Sequence, residues 1–134
     1  MSKVRPLPCE ACPYRRDVPS GLWAEHEYEK LREYDAPTPY QPLAVFACHA
    51  SPQALCHGWV LVHTSRGNEN DLLALRLSPP EGLIPEMVVP LFASGNEAAD
   101  HGERDLEIPS VEAIRAMDRL QNKHPRLRQE EIHG

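Results

Sequence analysis

No apolar run in the chain approaches the ~20 residues that a membrane-spanning helix needs, and the opening segment Met1 to Pro8 lacks the apolar stretch of a signal peptide. The expected compartment is therefore the cytoplasm, with no membrane partner. Arg15-Arg16 has no apolar stretch after it and does not read as a twin-arginine export signal. Excess positive charge is missing too: 14 Lys and Arg stand against 20 Asp and Glu, a formal net charge of -6. Such a balance opposes the phosphate backbone and argues against nucleic acid as a partner. The chain has no glycine-rich phosphate loop, no nucleophile elbow, and no His-x-Glu followed by Pro-Cys-x-x-Cys. The enzyme classes that depend on those motifs are set aside. No internal repeat or second domain is evident.

Proline, by contrast, is plentiful. Fourteen prolines in 134 residues, with a mean hydropathy of -0.50, imply short elements and many turns. The length suits one domain, but apolar burial is then modest. A metal that ties distant loops together is a common supplement in such chains, because its binding free energy adds to that of folding.

Helical spacing of Ala24, Tyr28 and Leu31, flanked by Trp23 and Tyr34, predicts an amphipathic helix over Trp23 to Tyr34, with Ser20 or Gly21 just before its start. The proline-rich stretch from Ala36 to Pro42 reads as an extended connector. Leu43 to Ala47 is ambiguous between strand and buried helical turn. Trp59-Val60-Leu61-Val62, the most apolar stretch, reads as a buried helix running to about His63. Asn68 is placed as the cap of a helix through Leu77, with Glu69 and Asp71 in its first turn and Pro79-Pro80 beyond it. Met87 to Phe92 is expected extended. Ser94 to Glu97 forms a capping box for a helix stopped near Gly102. Ser110 caps a final helix to about Lys123, with Val111, Ile114, Met117 and Leu120 on one face. The expected fold is a mainly α, small single domain over residues 1–125 with irregular metal-binding loops, leaving room for one short β-strand pair (α+β). A flexible charged tail spans 126–134.

Chemistry concentrates in the four cysteines. In the reducing cytosol they are expected as thiolates and not as disulfides. Cys9 and Cys12 have the two-residue spacing that lets one tight turn aim both sulfurs at a metal, while Cys48 and Cys56 share a second short loop. All four lie beside Pro or His in what read as loops, which sets them apart from cysteines used as small core hydrophobes. Four thiolates complete a tetrahedral zinc site or a four-iron cluster. The seven-residue gap between Cys48 and Cys56 is not that of a standard zinc ribbon. His49 and His57, each next to a cysteine, and His63 further on, are possible substitute ligands. His26, His101, His124 and His133 look solvated. Pro13 removes a backbone donor that a zinc knuckle would use, which points toward iron and sulfur; isolated cytosolic four-cysteine sites more commonly hold zinc, so Zn2+ is placed ahead of [4Fe-4S]. Arg15 and Arg16 are the expected outer-sphere cations that offset thiolate charge.

The run Cys9 to Trp23 resembles a family of uncharacterised small proteins from actinobacteria and their phages, with the pattern CxxCPYRRDVPSG followed by CH, C and GW. The similarity continues through Tyr34-Asp35, Gln41-Pro42, Phe46, Cys48-His49, Cys56, Gly58-Trp59, Pro90 to Gly95, Glu97 to Ala99 and His101-Gly102, with His57 where a small residue is usual. The resemblance implies no activity. The functional expectation is a metal-binding protein acting as a binding or regulatory module for a protein partner, with an enzyme the less favoured class. The alternatives are a thiol-disulfide redox protein using Cys9 and Cys12 and an iron-sulfur redox sensor. A full thiolate set argues against hydrolysis, which needs an open coordination position.

Overall fold

Tyr28 and Leu31 fall one turn apart among charged residues, and they are the buried stripe of the first helix, α1 (Glu25–Glu33). In a computed structural model the chain is described over residues 2–64, 72–77, 80–81 and 89–127. The other helices there are α2 (His57–Thr64), α3 (Leu73–Leu77), α4 (Gly95–Glu103) and α5 (Val111–Lys123). A parallel pair, β1 (Ser2–Lys3) and β2 (Pro80–Glu81), joins Ser2 to Pro80 and Lys3 to Glu81. The mainly helical architecture with one short strand pair is as expected.

α1 begins later than the sequence suggested. Ala24 occupies the N-cap without a side-chain bond, whereas Ser20 and Gly21 belong to the preceding turn. Gly21 has a φ of +78°, and its N–H donates to Gly102 O at 2.8 Å, pinning that turn to the end of α4. The proline connector is not wholly extended, because Thr38–Tyr40 forms a 3-10 turn that Pro39 tolerates within its first turn. Leu43 to Ala47 settles into neither alternative: it is irregular, with Ala47 bridged to Leu55. The expected start of α3 at Asn68, with Glu69 and Asp71, Pro79 beyond its end, and Met87 and Val88 of the expected extended stretch lie outside the described residues. Leu91 of that stretch makes an antiparallel bridge with Arg15.

α2 is buried on every side through His63, as the apolar run Trp59 to Val62 at its centre requires. Ser94 and Ser110 each accept the third N–H of their helix, from Glu97 and Ala113 at 3.1 Å. Each cap contributes about 1 kcal/mol. α5 faces the core differently from expectation: Val111 and Ile114 are exposed, while Ala113, Ala116, Met117 and Leu120 are buried. α4 packs closely on α1, since a Cβ on Gly102 would stand 2.1 Å from Cε1 of Tyr28. Leu127, in the segment expected to be a free tail, is buried and donates its N–H to His124 O at 3.0 Å. No helix of the described residues is long and apolar enough to cross a membrane.

Candidate metal centre

The turn that carries Cys9 and Cys12 closes on itself through Cys12 N–H to Cys9 O at 3.1 Å and Arg15 N–H to Cys12 O at 3.0 Å. Cys48 and Cys56 flank a second loop, tied by Cys48 N–H to Ala54 O at 2.9 Å and Cys56 N–H to Phe46 O at 2.9 Å. α2 starts directly after Cys56, whose carbonyl accepts Val60 N–H at 3.1 Å. Gly58 lets this helix meet the first loop. A Cβ there would lie 2.7 Å from Cβ of Tyr14 and 2.9 Å from Sγ of Cys12.

All four cysteines are buried and unbridged. The sulfurs of Cys12 and Cys56 stand 3.7 Å apart although 44 positions separate them in sequence, and Cys9 and Cys48 shift each other's ionisation in opposite directions. The thiols thus pair across the two loops and not within the Cys9-Cys12 spacing. Each pair is uneven. The bond from Cys9, helped by the N–H groups of Ser51 and Ala50 and by the Arg5 charge, lowers Cys48 to about 5 against the cost of burial. The bond to Cys48 and burial raise Cys9 correspondingly. Cys12 is lowered by its bond from Cys56 and by the N–H groups of Tyr14 and Gly58, while Cys56 is raised by the same bond and by burial. Within each pair the surroundings therefore favour negative charge on Cys12 and Cys48 over Cys56 and Cys9. The charges of Cys9 and Cys12, Cys12 and Cys48, and Cys56 and Cys9 are close enough to act on one another, so the two pairs are neighbours. As the side chains stand, no group of three or more His, Cys, Asp or Glu among the described residues is arranged to hold a metal ion.

Backbone donors reach every sulfur: Ala11 to Cys9, Tyr14 and Gly58 to Cys12, Ala50 and Ser51 to Cys48, and Trp59 to Cys56. Such donors stabilise the charged form of a thiol. Pro13 removes nothing, because the N–H two residues after Cys12 does the work.

The expected substitute ligands are committed elsewhere. His49 places Nε2 at 2.6 Å from Oε1 of Glu27 and stacks on Trp23, ring centroids 4.3 Å apart. His57 pairs Nδ1 with Arg5 O at 3.0 Å, and its buried Nε2 has no partner among the described residues. Of the two expected outer-sphere arginines, Arg15 lies close enough for its charge to act on Cys12 and Cys9. Arg15 binds Asp17 through two hydrogen bonds of 2.8 and 2.7 Å and touches the site only at Cys9 O, 3.4 Å away. Arg16 donates to Leu91 O at 3.0 Å and lies over the Phe92 ring. A cation the spacing did not suggest, Arg5, lies 4.0 Å from Cys48 Sγ and 2.8 Å from Ser51 Oγ. His101, taken as solvated, instead places Nε2 at 2.8 Å from Val18 O and its ring against Phe92.

Glu27, expected on the wet face of α1, is buried and clamps this region. Burial alone would raise its carboxyl, but hydrogen bonds from His49 and Lys30 outweigh it and hold it at about 2. Trp23, under His49, donates Nε1–H to Ala11 O at 2.9 Å, so Glu27, His49 and Trp23 connect both cysteine loops. A carboxyl lowered from 4.5 stabilises the fold above that pH and loses its contribution as pH falls toward 2. Glu27→Gln should be less stable at neutral pH, with the deficit shrinking across that acid window, as measured by unfolding at stepped pH. A deficit constant with pH would discard the clamp.

The family model that matches the chain, over residues 4–115, is described as a family of unknown function (DUF6283). No curated protein and no solved structure matches it.

Proposed function

We propose, for a chain that belongs to the DUF6283 family of unknown function, that Cys9, Cys12, Cys48 and Cys56 hold one zinc ion and that the protein is a zinc-organised binding or regulatory module for a protein partner. The observation that carries the reading is the 3.7 Å between the sulfurs of Cys12 and Cys56. Zinc–sulfur bonds of about 2.3 Å in a tetrahedron set their sulfurs ~3.8 Å apart. In a four-iron cluster each thiolate caps a different iron, which spreads the sulfurs well beyond that spacing. Cys9 and Cys48, whose charges act on that pair, would turn toward it to complete the set.

The surroundings favour the charged thiolates such an ion needs. N–H donors on every sulfur and the Arg5 guanidinium offset their repulsion. Cys9 and Cys56 would give up their protons on loading. The ion would supply structural cross-linking, since four thiolates leave no open position for substrate or water. Burial of all four sulfurs favours this over thiol-disulfide exchange, which requires access to an attacking thiol. The proposed compartment is the reducing cytoplasm.

Elemental analysis of anaerobically purified protein should find one zinc per chain in a colourless sample, released by a thiol-modifying reagent. A brown sample containing iron and sulfide would overturn the reading in favour of a cluster, and freely titratable thiols without metal would overturn both.

A further inference from the structure

The chain passes from α4 to α5 through residues 104–110, and this link is fastened along its length. Ser20 Oγ donates to Gly102 O at 3.1 Å and accepts Asp105 N–H at 2.9 Å. Leu106 N–H donates to Glu103 O at 3.4 Å, and a Cβ on Gly21 would stand 2.6 Å from Asp105 O, so the turn before α1 seats directly against it. Ser110, capping α5, holds the far end. A link fixed in this way has little conformational freedom to lose on binding.

The same link presents apolar side chains to solvent. Ile108, Val111 and Ile114 are 83%, 63% and 49% exposed, all outside the buried stripe of Ala113, Ala116, Met117 and Leu120. Ile108 lines a cleft of about 620 Å³ together with the half-buried Leu106. The rest of that cleft is mainly acidic: Glu25 comes from the start of α1, Glu103 from the end of α4, and Asp105 and Glu107 from the link. Arg104 is the one cation of the described lining. Glu103 is matched by Arg32, but no cation among the described residues pairs with Glu25, Asp105 or Glu107.

We propose that this face docks a basic amphipathic helix of a protein partner. The apolar residues of that helix lie against Leu106, Ile108, Val111 and Ile114, and its Lys or Arg side chains reach Glu25, Asp105 and Glu107. Charge decides among the occupants. A second copy docking through the same patch would set acid against acid, and an anionic lipid surface or a phosphate backbone would meet the same repulsion. The rim carboxylates are solvated, so they select the partner and hasten encounter, while the apolar contact supplies most of the affinity. A partner of this class rests on the reading of the chain as a binding module; the face that receives it includes none of the four cysteines.

The test is amide NMR of the isotope-labelled full chain, as purified, titrated with a lysine-rich helical peptide bearing one leucine face, with zinc measured on the same sample. Signals from residues 25 and 103–114 should shift saturably, and less so as salt is raised. A peptide of the same composition with its leucines scattered, and one with glutamate in place of lysine, should each bind at least about tenfold more weakly. Ile108→Ser combined with Val111→Ser should weaken the lysine peptide about tenfold and leave the unfolding curve unchanged, since both positions are exposed. If that double variant does not fold, Glu107→Lys decides: it should weaken the lysine peptide and strengthen the glutamate one. No shift at peptide concentrations up to about 1 mM, equal binding of the scattered peptide, or the same residues shifting with protein concentration alone would overturn the docking face. Shifts confined to other residues would also overturn it, leaving a binding module that uses another face. Any of these failures in a zinc-loaded chain leaves the metal reading intact, whereas saturable binding here by a chain without zinc upholds the face and discards the metal.

Discussion

Cys12→Ser is expected to cost the protein its zinc and at least ~5 kcal/mol of folding free energy, with a fall in melting temperature of about 15 °C. Apparent binding energies of structural zinc exceed the whole stability of many domains, and this chain has a limited apolar reserve. A serine oxygen keeps the shape of the site but is a poor zinc ligand. Burying an unpaired hydroxyl in place of the sulfur costs only about 1–3 kcal/mol, so a drop of that size alone would point to a packing role. The decisive comparison uses a strong chelator. It should bring wild-type protein down to the melting temperature of the variant and leave the variant unchanged. Wild-type protein indifferent to the chelator would remove the metal from the account of stability.

Gly102→Ala should destabilise by about 3 kcal/mol, at the upper end of overpacking costs, and lower the melting temperature by roughly 10 °C. The added methyl would occupy space now held by the Tyr28 ring, 2.1 Å from Cε1 and 2.3 Å from Cδ1. That ring has nowhere to retreat, because it is buried and its hydroxyl accepts Trp23 N–H at 3.0 Å. Zinc content should stay at one per chain, since α4 reaches the first loop only beyond the cysteines, at Arg16, Val18 and Gly21. Shortening the ring with Tyr28→Leu in the same protein should recover part of the loss, a non-additivity that a double-mutant cycle of urea unfolding would measure. A Gly102→Ala protein as stable as wild type would mean that the two helices separate at little cost.

Features governed by neighbouring residues were legible. Ser94 and Ser110 cap their helices because a side-chain oxygen reaches its own third N–H whatever the rest of the chain does. The buried α2 followed from an unbroken apolar stretch, and the cysteine loops from their Pro-rich settings. What failed depended on approach between distant segments. Arg5 reaches the sulfurs because Lys3 and Arg5 pair with Leu55 through bonds of 2.8 and 3.0 Å, a pairing that adjacency in sequence cannot reveal; Arg16, nearer along the chain, turns instead to Leu91 and Phe92. Glu27 looked solvated beside other charges, and its burial depends on His49 arriving from another loop. α5 misled through composition. Val111 and Ile114 outrank alanine in hydropathy, yet Ala113, Ala116, Met117 and Leu120 keep the i, i+3, i+4, i+7 spacing and allow closer packing. That signal was present and was outweighed by side-chain size. The cleft at Glu25 and Ile108 had no local signature, since its lining comes from the start of α1 and from the end of α4 onward.

All four sulfurs fall between positions 9 and 56, whereas the helix that covers Tyr28 and Leu31 does not begin until position 95. During synthesis the ribosome therefore releases every thiol well before α1 has anything to lie against. The order of maturation is fixed by that spacing: the nascent chain can be knotted by an ion first, and its greasy helix face must wait, open to chaperones, for about forty further residues to emerge.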